Sequence, residues 1–241
     1  MSFLNKKILA IIPARGGSKG IIKKNLRKIA GKSLVEHAAS ISREIEFIDK
    51  AVISTDDPEI LEEALEKGLL APFIRPSKLA TDTAKAKDVW IHAWQECEKI
   101  YREKYNLSIF LEPTSPLRIK SDILNSLKLL ISDINIGSTA TVSKIPGNNT
   151  PFKAHLADKQ GFISYYHKEG ENYSNRQSIP NFYYRNGLCY SAKREHLLES
   201  GHLFDKKCKM VLTERPVINI DEEYELELAE FFLKKYGNKF L

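Results

Sequence analysis

The chain alternates short runs of apolar residues with longer segments in which apolar residues recur at the spacing of a helix. Short runs rich in isoleucine, valine and leucine predict buried strands, and the longer amphipathic segments predict helices. The predicted strands cover residues 6–13, 50–56, 107–113, about 137–143 and 181–191, and the predicted helices cover 33–47, 57–67, 83–103, 121–132, a short segment after 191 and the chain from about 221. Strands joined through intervening helices pair in parallel, so we expect an α/β fold with a doubly wound, mostly parallel sheet.

The alternation breaks between residues 144 and 181. This segment is rich in glycine, proline, asparagine and aromatic residues, and it contains only short β-like pieces. We interpret it as a β-rich arm inserted into one α/β domain that comprises residues 1–143 and 182–241. Because the arm is too irregular to bury itself on the main sheet, we expect it to join two copies of the chain in a homodimer.

Three of the predicted strands end in polar sequences: PARGGSKG, STDD and EPTSPLR. Ligands of parallel sheets bind beyond the carboxyl ends of the strands, and these ends lie along one edge. We therefore expect the three polar sequences to meet at one site.

Positive charge is concentrated around the first of these sequences. Residues 1–32 contain nine lysines and arginines and no acidic residue, whereas the remaining 209 residues carry a net charge of −3, and the whole chain carries +6. Gly16 and Gly17 would let backbone amides approach an anion without a side chain in the way. Arg15, Lys19 and Lys24 would supply the charge that amides alone lack when the anion is a nucleoside triphosphate, with a divalent metal sharing the task.

Residue spacing excludes two common phosphate-binding motifs. A Walker A loop ending at Gly31 requires a first glycine at the position of Leu26, and a dinucleotide fingerprint ending at Gly20 requires one at the position of Arg15. The loop therefore belongs neither to a P-loop NTPase nor to a Rossmann NAD site.

The composition excludes several further classes of protein. The hydrophobic fraction of 42% supports a folded core, and no apolar run is long enough to span a membrane. The chain leads directly into a strand without the cleavage site of a signal peptide. Cys97, Cys189 and Cys208 are far apart, so we expect reduced thiols in a cytoplasmic protein. Nucleic-acid binding is disfavoured because the basic residues cluster on a turn and Phe3 is the only aromatic residue among the first 32.

Several short motifs occur in order along the whole chain. They are IPARGGSKG at 12–20, KNL at 24–26, STD at 54–56, RP at 75–76, LATDT at 79–83, PTSPLR at 113–118, RQ at 176–177, Pro180, NG at 186–187 and ID at 220–221. This set resembles the signature of the CMP-N-acylneuraminate synthetases (acylneuraminate cytidylyltransferases), which have a Rossmann-like nucleotidyltransferase fold.

The resemblance implies an activity and assigns roles to residues. The anomeric hydroxyl of a nonulosonic, sialic-acid-like 3-deoxy-2-keto sugar acid would attack the α-phosphorus of CTP, giving a CMP-sugar and pyrophosphate with Mg²⁺ present. By position, the catalytic residues would be Arg15, Lys24 and Asp221. The nucleotide would contact Arg15, Gly16, Gly17, Ser18, Lys19, Lys24, Asn25, Arg75 and Ala84, the last two near the cytosine. The sugar acid would contact Glu112, Lys153, Arg176, Arg185, Asn186 and Tyr190, with Lys153 and Arg176 reaching from the arm into the cleft of the partner.

Two positions depart from the pattern of that family. Glu112 stands where sialate-using members commonly have glutamine. Because this position is expected near the sugar, the identity of the sugar acid is left open. Asn219 stands where many members have the first of two aspartates, so the expected Mg²⁺ ligands, Asp221 and Asn219, bring one carboxylate instead of two. Asp221 would also suit the N-cap of the acidic helix that follows it.

Two alternative functions share most of these features. A cytidylyltransferase for the eight-carbon 3-deoxy-octulosonate of lipopolysaccharide uses the same sugar chemistry, but Arg176 and the pair Asn186-Gly187 favour the nonulosonate branch. A catalytically inactive, regulatory homologue is disfavoured because Lys24, Asn25 and Asp221 are all present.

Overall fold

The computed structural model describes residues 5–173 and 175–240, and for Arg176 and residues 238–240 it describes the backbone alone. The strands are β1 (Ile8–Pro13), β2 (Lys28–Ile29), β3 (Lys32–Ser33), β4 (Lys50–Ser54), β5 (Leu107–Phe110), β6 (Ser138–Lys144), β7 (His155–Ala157), β8 (Ile163–Tyr165), β9 (Tyr183–Lys193) and β10 (Cys208–Leu212). The α-helices are α1 (Leu34–Arg43), α2 (Pro58–Glu66), α3 (Ala86–Tyr101), α4 (Lys120–Ser132) and α5 (Glu223–Phe240).

A six-stranded sheet in the order β10-β6-β9-β5-β1-β4 forms the centre of the fold. Strand β1 pairs in parallel with β4 and β5, and β10 pairs in parallel with β6, whereas β9 runs antiparallel to both of its neighbours. β9 follows the inserted arm and not a crossover helix, which leaves it free to return antiparallel beside β6. The predicted α/β fold with a mostly parallel sheet is confirmed.

Helices cover both faces of the sheet, as expected for a doubly wound fold. Alternate residues of β1 point to opposite faces, with Ile8, Ala10 and Ile12 in one core and Leu9 and Ile11 in the other. The first core also contains buried residues of α1, α2 and α4, and the second contains those of α3. Both faces of β1 are therefore dry, which explains its continuous apolar run.

A smaller third core connects the end of the chain to the glycine-rich loop. Ile21 and Ile29, which flank the loop's exit, pack with Ile220 and with Leu226 of α5. This packing brings residues near 220 to the edge of the sheet where β1 ends.

The inserted segment between β6 and β9 contains the two-stranded antiparallel sheet of β7 and β8. Phe152 is buried there, with its ring centroid 4.4 Å from that of His167 and 4.3 Å from that of Tyr173. Phe162 and Ile163 on the hairpin are 75% and 69% exposed. The arm thus has a small aromatic core of its own and an apolar outer surface.

Several elements differ from the sequence prediction. Strand β10 and the short β2–β3 hairpin were not predicted, since β10 is an edge strand with Met210 and Leu212 exposed and therefore lacks a buried apolar run. The three cysteines are free thiols, with Cys97 and Cys189 buried in the two main cores. Among the described residues, no helix is both long and apolar enough to cross a bilayer.

Candidate active site

A cleft of about 470 Å³, called here the main cleft, opens at the carboxyl ends of β1 and β5. Its lining includes nine of the predicted site residues: Arg15, Ser18, Lys19, Lys24, Asn25, Arg75, Ala84, Glu112 and Asp221. The polar sequence after β4 lies beside it, because the Gly16 amide donates to the Asp56 carboxylate at 3.2 Å. The prediction that the three polar strand ends meet at one edge is confirmed.

Hydrogen bonds to main-chain carbonyls hold the glycine-rich loop in place at the end of β1. The side-chain amide (Nδ2) of Asn25 donates to the Arg15 carbonyl at 3.0 Å, and the backbone amide of Ser18 donates to the Gly16 carbonyl at 2.9 Å. A Cβ atom on Gly20 would lie 2.7 Å from the Asp221 carbonyl oxygen, so only glycine permits this close approach. The loop and the Asp221 segment are therefore in direct contact.

Two of the loop's cations are paired with a carboxylate that the sequence analysis did not assign. Asp82 accepts from Arg15 Nη1 at 2.7 Å and from Lys19 Nζ at 2.6 Å. The hydrogen bonds from Lys19 and Arg15 lower the pKa of Asp82. Arg15 and Lys19 thus converge on one carboxylate, and the position of the Asp82 carboxylate is where both could bind an anionic ligand.

Lys24 connects the loop to the segment before α5. Its Nζ donates to the Asp221 carboxylate at 2.8 Å and to the Ile220 carbonyl at 2.9 Å, and the Lys24 side chain is 16% exposed. The start of α5 is capped by Glu225, whose carboxylate accepts from the Asp221 backbone amide at 2.6 Å. The Asp221 carboxylate faces Lys24 and the cleft, and helix capping is the role of Glu225.

Arg75 is buried at the rim of the cleft. Its Nε donates to the Ser54 hydroxyl at 3.1 Å, and its Nη2 donates to the Ser54 carbonyl. Burial lowers the pKa of Arg75 to about 10, so the guanidinium stays charged at neutral pH. These contacts fix the plane of the side chain at the end of β4.

A second cavity of about 310 Å³, called here the side pocket, adjoins the main cleft. The two share Ala86, Phe110 and Glu112 in their linings. Three predicted sugar-acid residues, Glu112, Arg185 and Tyr190, line the side pocket together with five unpredicted residues: Lys85, Lys87, Trp90, Leu203 and Phe204. The pocket combines cations with apolar and aromatic surface.

Arg185 and Tyr190 both contact the ring of Phe204 in the wall of the side pocket. The Arg185 guanidinium lies 4.3 Å from the Phe204 ring centroid, and the Tyr190 ring packs against Phe204 at 5.9 Å. A guanidinium stacked on an aromatic ring keeps its edge available for a carboxylate.

Glu112 stands at the junction of the two cavities. Burial, the largest influence, raises the pKa of Glu112 to about 7, and the charges of Arg118 and Arg185 partly oppose this rise. Asp221 and Lys24 are close enough to affect the same pKa. Glu112 was expected near the sugar, and the structure places it on the wall of both cavities.

Asn219 has a buried oxygen without a partner. Its Oδ1 makes no hydrogen bond among the described residues. The carboxylate of Asp221 and this carbonyl-type oxygen are hard ligands of the kind that Mg²⁺ binds. No group of three histidine, cysteine, aspartate or glutamate residues suited to a metal occurs in the described part of the chain.

Five predicted residues with described side chains line neither cavity: Gly16, Gly17, Lys153, Asn186 and Asn219. Gly16 and Gly17 belong to the loop but do not line the cleft, and Lys153 lies in the arm. Asn186 is fully buried, and its amide donates to the Ser143 hydroxyl at 3.0 Å. The side chain of Arg176 lies outside the described residues.

The chain matches the family model described as "Cytidylyltransferase" over residues 9–236. It is 30% identical to the post-translational flagellin modification protein B of Campylobacter coli, covering 95% of this chain and 96% of the relative. It is also 30% identical to the CMP-N,N'-diacetyllegionaminic acid synthase of Campylobacter jejuni, covering 94% of this chain and 95% of the relative.

A solved structure shares the fold at low sequence identity. A CMP:2-keto-3-deoxy-manno-octonic acid synthetase in complex with CTP has a TM-score of 0.71 at 15% identity, covering 95% of this chain and 99% of that one. The residues matched by the family model run from β1 into α5 and include every residue that lines the main cleft. The chain therefore belongs to the cytidylyltransferase family, as the resemblance of its motifs predicted.

Proposed function

We propose that this chain transfers CMP from CTP to a nonulosonic acid, a sialic-acid-like 3-deoxy-2-keto sugar acid. The observation that carries the proposal is the junction of the two cavities at Glu112. One cavity is lined by the cations of the glycine-rich loop, and the other by Arg185 with aromatic and apolar residues. A triphosphate and a carboxylated sugar would therefore meet where the cavities join.

The triphosphate would replace an internal anion. In the proposal, its phosphates take the place of the Asp82 carboxylate on Arg15 and Lys19, whose exposed ion pairs contribute little to stability. Lys24 would neutralise charge that develops on the α-phosphate and the leaving pyrophosphate. Ser18 and Asn25 would fix the remaining phosphate and ribose contacts.

The cytosine would lie beside Arg75 and Ala84, which also line the main cleft. Arg75 is held in place by its hydrogen bond to the Ser54 hydroxyl. A fixed donor beside main-chain groups suits the reading of a pyrimidine edge, because it is already oriented before the base arrives.

The proposed reaction forms one bond and breaks one. The anomeric hydroxyl oxygen of the sugar acid bonds to the α-phosphorus, the bond from that phosphorus to the bridging oxygen breaks, and pyrophosphate leaves with its electron pair. The hydroxyl proton passes to solvent or to a nearby carboxylate. Mg²⁺, held by Asp221 and Asn219, would supply positive charge to the phosphates. Because CTP is used in the cytoplasm, we expect the enzyme to act there.

The sugar acid would occupy the side pocket. Arg185 would pair with its carboxylate, and Tyr190 would bound the same wall. Phe204 and Leu203 would contact apolar parts of the sugar. The relative from Campylobacter jejuni, a CMP-N,N'-diacetyllegionaminic acid synthase by name, supports this class of acceptor.

We also propose that two copies of the chain pair through the arm, with Lys153 and Arg176 serving the partner's side pocket. The exposed apolar residues of the β7–β8 hairpin, Phe162 and Ile163, support this arrangement. Mixing Lys24→Ala with Arg176→Ala protein should restore part of the activity, because each hybrid dimer contains one intact composite site. If hybrid dimers form, as checked by mass, and stay inactive, the shared site is refuted.

Pyrophosphate release measured with each nucleoside triphosphate and a panel of sugar acids tests the proposed function. We expect release with CTP and a nonulosonic acid, and little with ATP or GTP. Equal turnover of ATP, GTP and CTP would contradict the cytosine site.

A further inference from the structure

Arg118 carries a buried charge that faces main-chain carbonyls. Its Nη2 donates to the carbonyls of Glu112 at 2.7 Å and of Gly187 at 3.1 Å, and its Nε donates to the carbonyl of Leu188. Arg118 is 7% exposed and lines neither cavity. Burial of a guanidinium carries a large desolvation free energy, which an apolar residue filling the same space would not incur. The buried charge therefore indicates that Arg118 fixes the relative positions of the main-chain segments whose carbonyls it binds.

The carbonyls that Arg118 binds belong to the two segments that face each other at the junction. Glu112 follows β5, and Gly187 and Leu188 lie in β9. A further link joins the same segments, since the Ser115 hydroxyl donates to the Asn186 carbonyl at 3.1 Å. The loop after β5 is thus fastened to β9 mainly through one side chain.

The position of the Glu112 carboxylate depends on this spacing. Gly187 has a φ of +74°, and a Cβ atom there would lie 2.6 Å from Glu112 Oε2 and 2.4 Å from Ser115 Oγ. The carboxylate therefore rests directly on the β9 backbone. Any change in the distance between the loop and β9 would move it along the wall between the cavities.

We propose that Arg118 is a positioning residue that holds Glu112 at the junction, where Glu112 orients the acceptor toward the α-phosphate. The role given to Glu112 rests on the proposed function, whereas Arg118 touches neither substrate. Lysine cannot replace Arg118 in this task, because a single ammonium on a flexible stem does not span the carbonyls of both segments as a planar fork does.

The first test compares two arginine-to-lysine substitutions. Arg118→Lys should lower kcat/KM for the sugar acid about a hundredfold, as expected for a small displacement at a reacting centre. CTP binding, measured by calorimetry without acceptor, should stay within about threefold of wild type. The control is Arg194→Lys, since Arg194 directly follows β9 and its guanidinium donates to Glu98 at 2.9 Å, near the start of β5 and away from the junction. This control should leave both quantities unchanged.

The second test separates positioning from general stability. In a Glu112→Ala background, Arg118→Lys should cost less than about a further twofold, because the group that it positions is gone. Gly187→Ala, which displaces Glu112 while keeping Arg118, should give the same acceptor-specific loss even if Arg118→Lys fails to fold. Additive losses, or equal losses in CTP binding and acceptor use, would overturn the role of Arg118. Absence of wild-type turnover with every sugar acid would instead overturn the proposed function, and the role of Glu112 with it.

Discussion

Replacement of Asp221 by asparagine should lower turnover by more than about a hundredfold, equivalent to about 2.7 kcal/mol in the activation barrier. Asp221 pairs with Lys24 at 2.8 Å, and it is the one carboxylate of the proposed metal-binding pair. The amide of Asn219 offers an oxygen without charge, so Asp221→Asn leaves the pair without Coulomb attraction for a divalent cation. Steady-state pyrophosphate release at saturating CTP and Mg²⁺ measures the effect.

Two further variants accompany this prediction. Glu223→Gln removes a nearby carboxylate that pairs with Arg27 at 2.7 Å, and it should leave turnover unchanged. Asn219→Asp should keep activity and lower the Mg²⁺ concentration that gives half the maximal rate. A rate for Asp221→Asn within about tenfold of wild type would show that Asp221 is not the charge on which the reaction depends.

Replacement of Lys24 by methionine should lower kcat/KM for CTP by about a hundredfold. Methionine keeps the length and apolar character of the stem but removes the ammonium, so Asp221 and the Ile220 carbonyl lose their donor. The triphosphate then meets an unpaired carboxylate, which repels it. Initial rates at subsaturating CTP measure the loss.

The neighbouring residue gives a matched control. Lys23 pairs with Glu59 at 2.6 Å, and its side chain is 59% exposed, against 16% for Lys24. Since exposed ion pairs contribute little, Lys23→Met should behave as wild type. Equal losses for both substitutions would mean that the net charge of the loop matters and that the position of Lys24 does not.

The parts of the site that could be predicted are those carried by contiguous sequence. The glycine-rich loop follows an apolar strand, and strand order in a parallel sheet places such loops at one edge, so Arg15, Lys19 and Lys24 could be assigned to the cleft. Asp221 could be placed there only through the resemblance of its motif. In the structure, Asp221 reaches the cleft because the preceding residue, Ile220, packs against Ile21 and Ile29.

The contacts between distant loops could not be predicted. Asp82 lies in a recognised motif, yet its pairing with Arg15 and Lys19 depends on how two loops fold toward each other. Phe204 and Leu203 belong to a loop with no regular periodicity, so nothing in the sequence indicated that they line the side pocket.

Buried polar residues were equally hard to interpret. The sequence cannot distinguish an asparagine that contacts a ligand from one, such as Asn186, whose amide binds Ser143 inside the sheet. Arg118 lies in a motif that was recognised, but its three carbonyl contacts appear only when β9 returns antiparallel beside β5.

In the proposed reaction, a triphosphate and a nonulosonic acid meet at the junction of the two cavities. The most direct measurement is the kcat/KM of the wild-type enzyme for CTP-dependent pyrophosphate release, compared between nine-carbon nonulosonic acids and the eight-carbon 3-deoxy-octulosonic acid, with the CMP-sugar identified by mass. We expect a CMP-nonulosonate as product and a kcat/KM at least about tenfold higher for a nine-carbon acid, as differential binding in the side pocket requires. Efficient use of the eight-carbon acid, with no turnover of any nonulosonic acid, would contradict it.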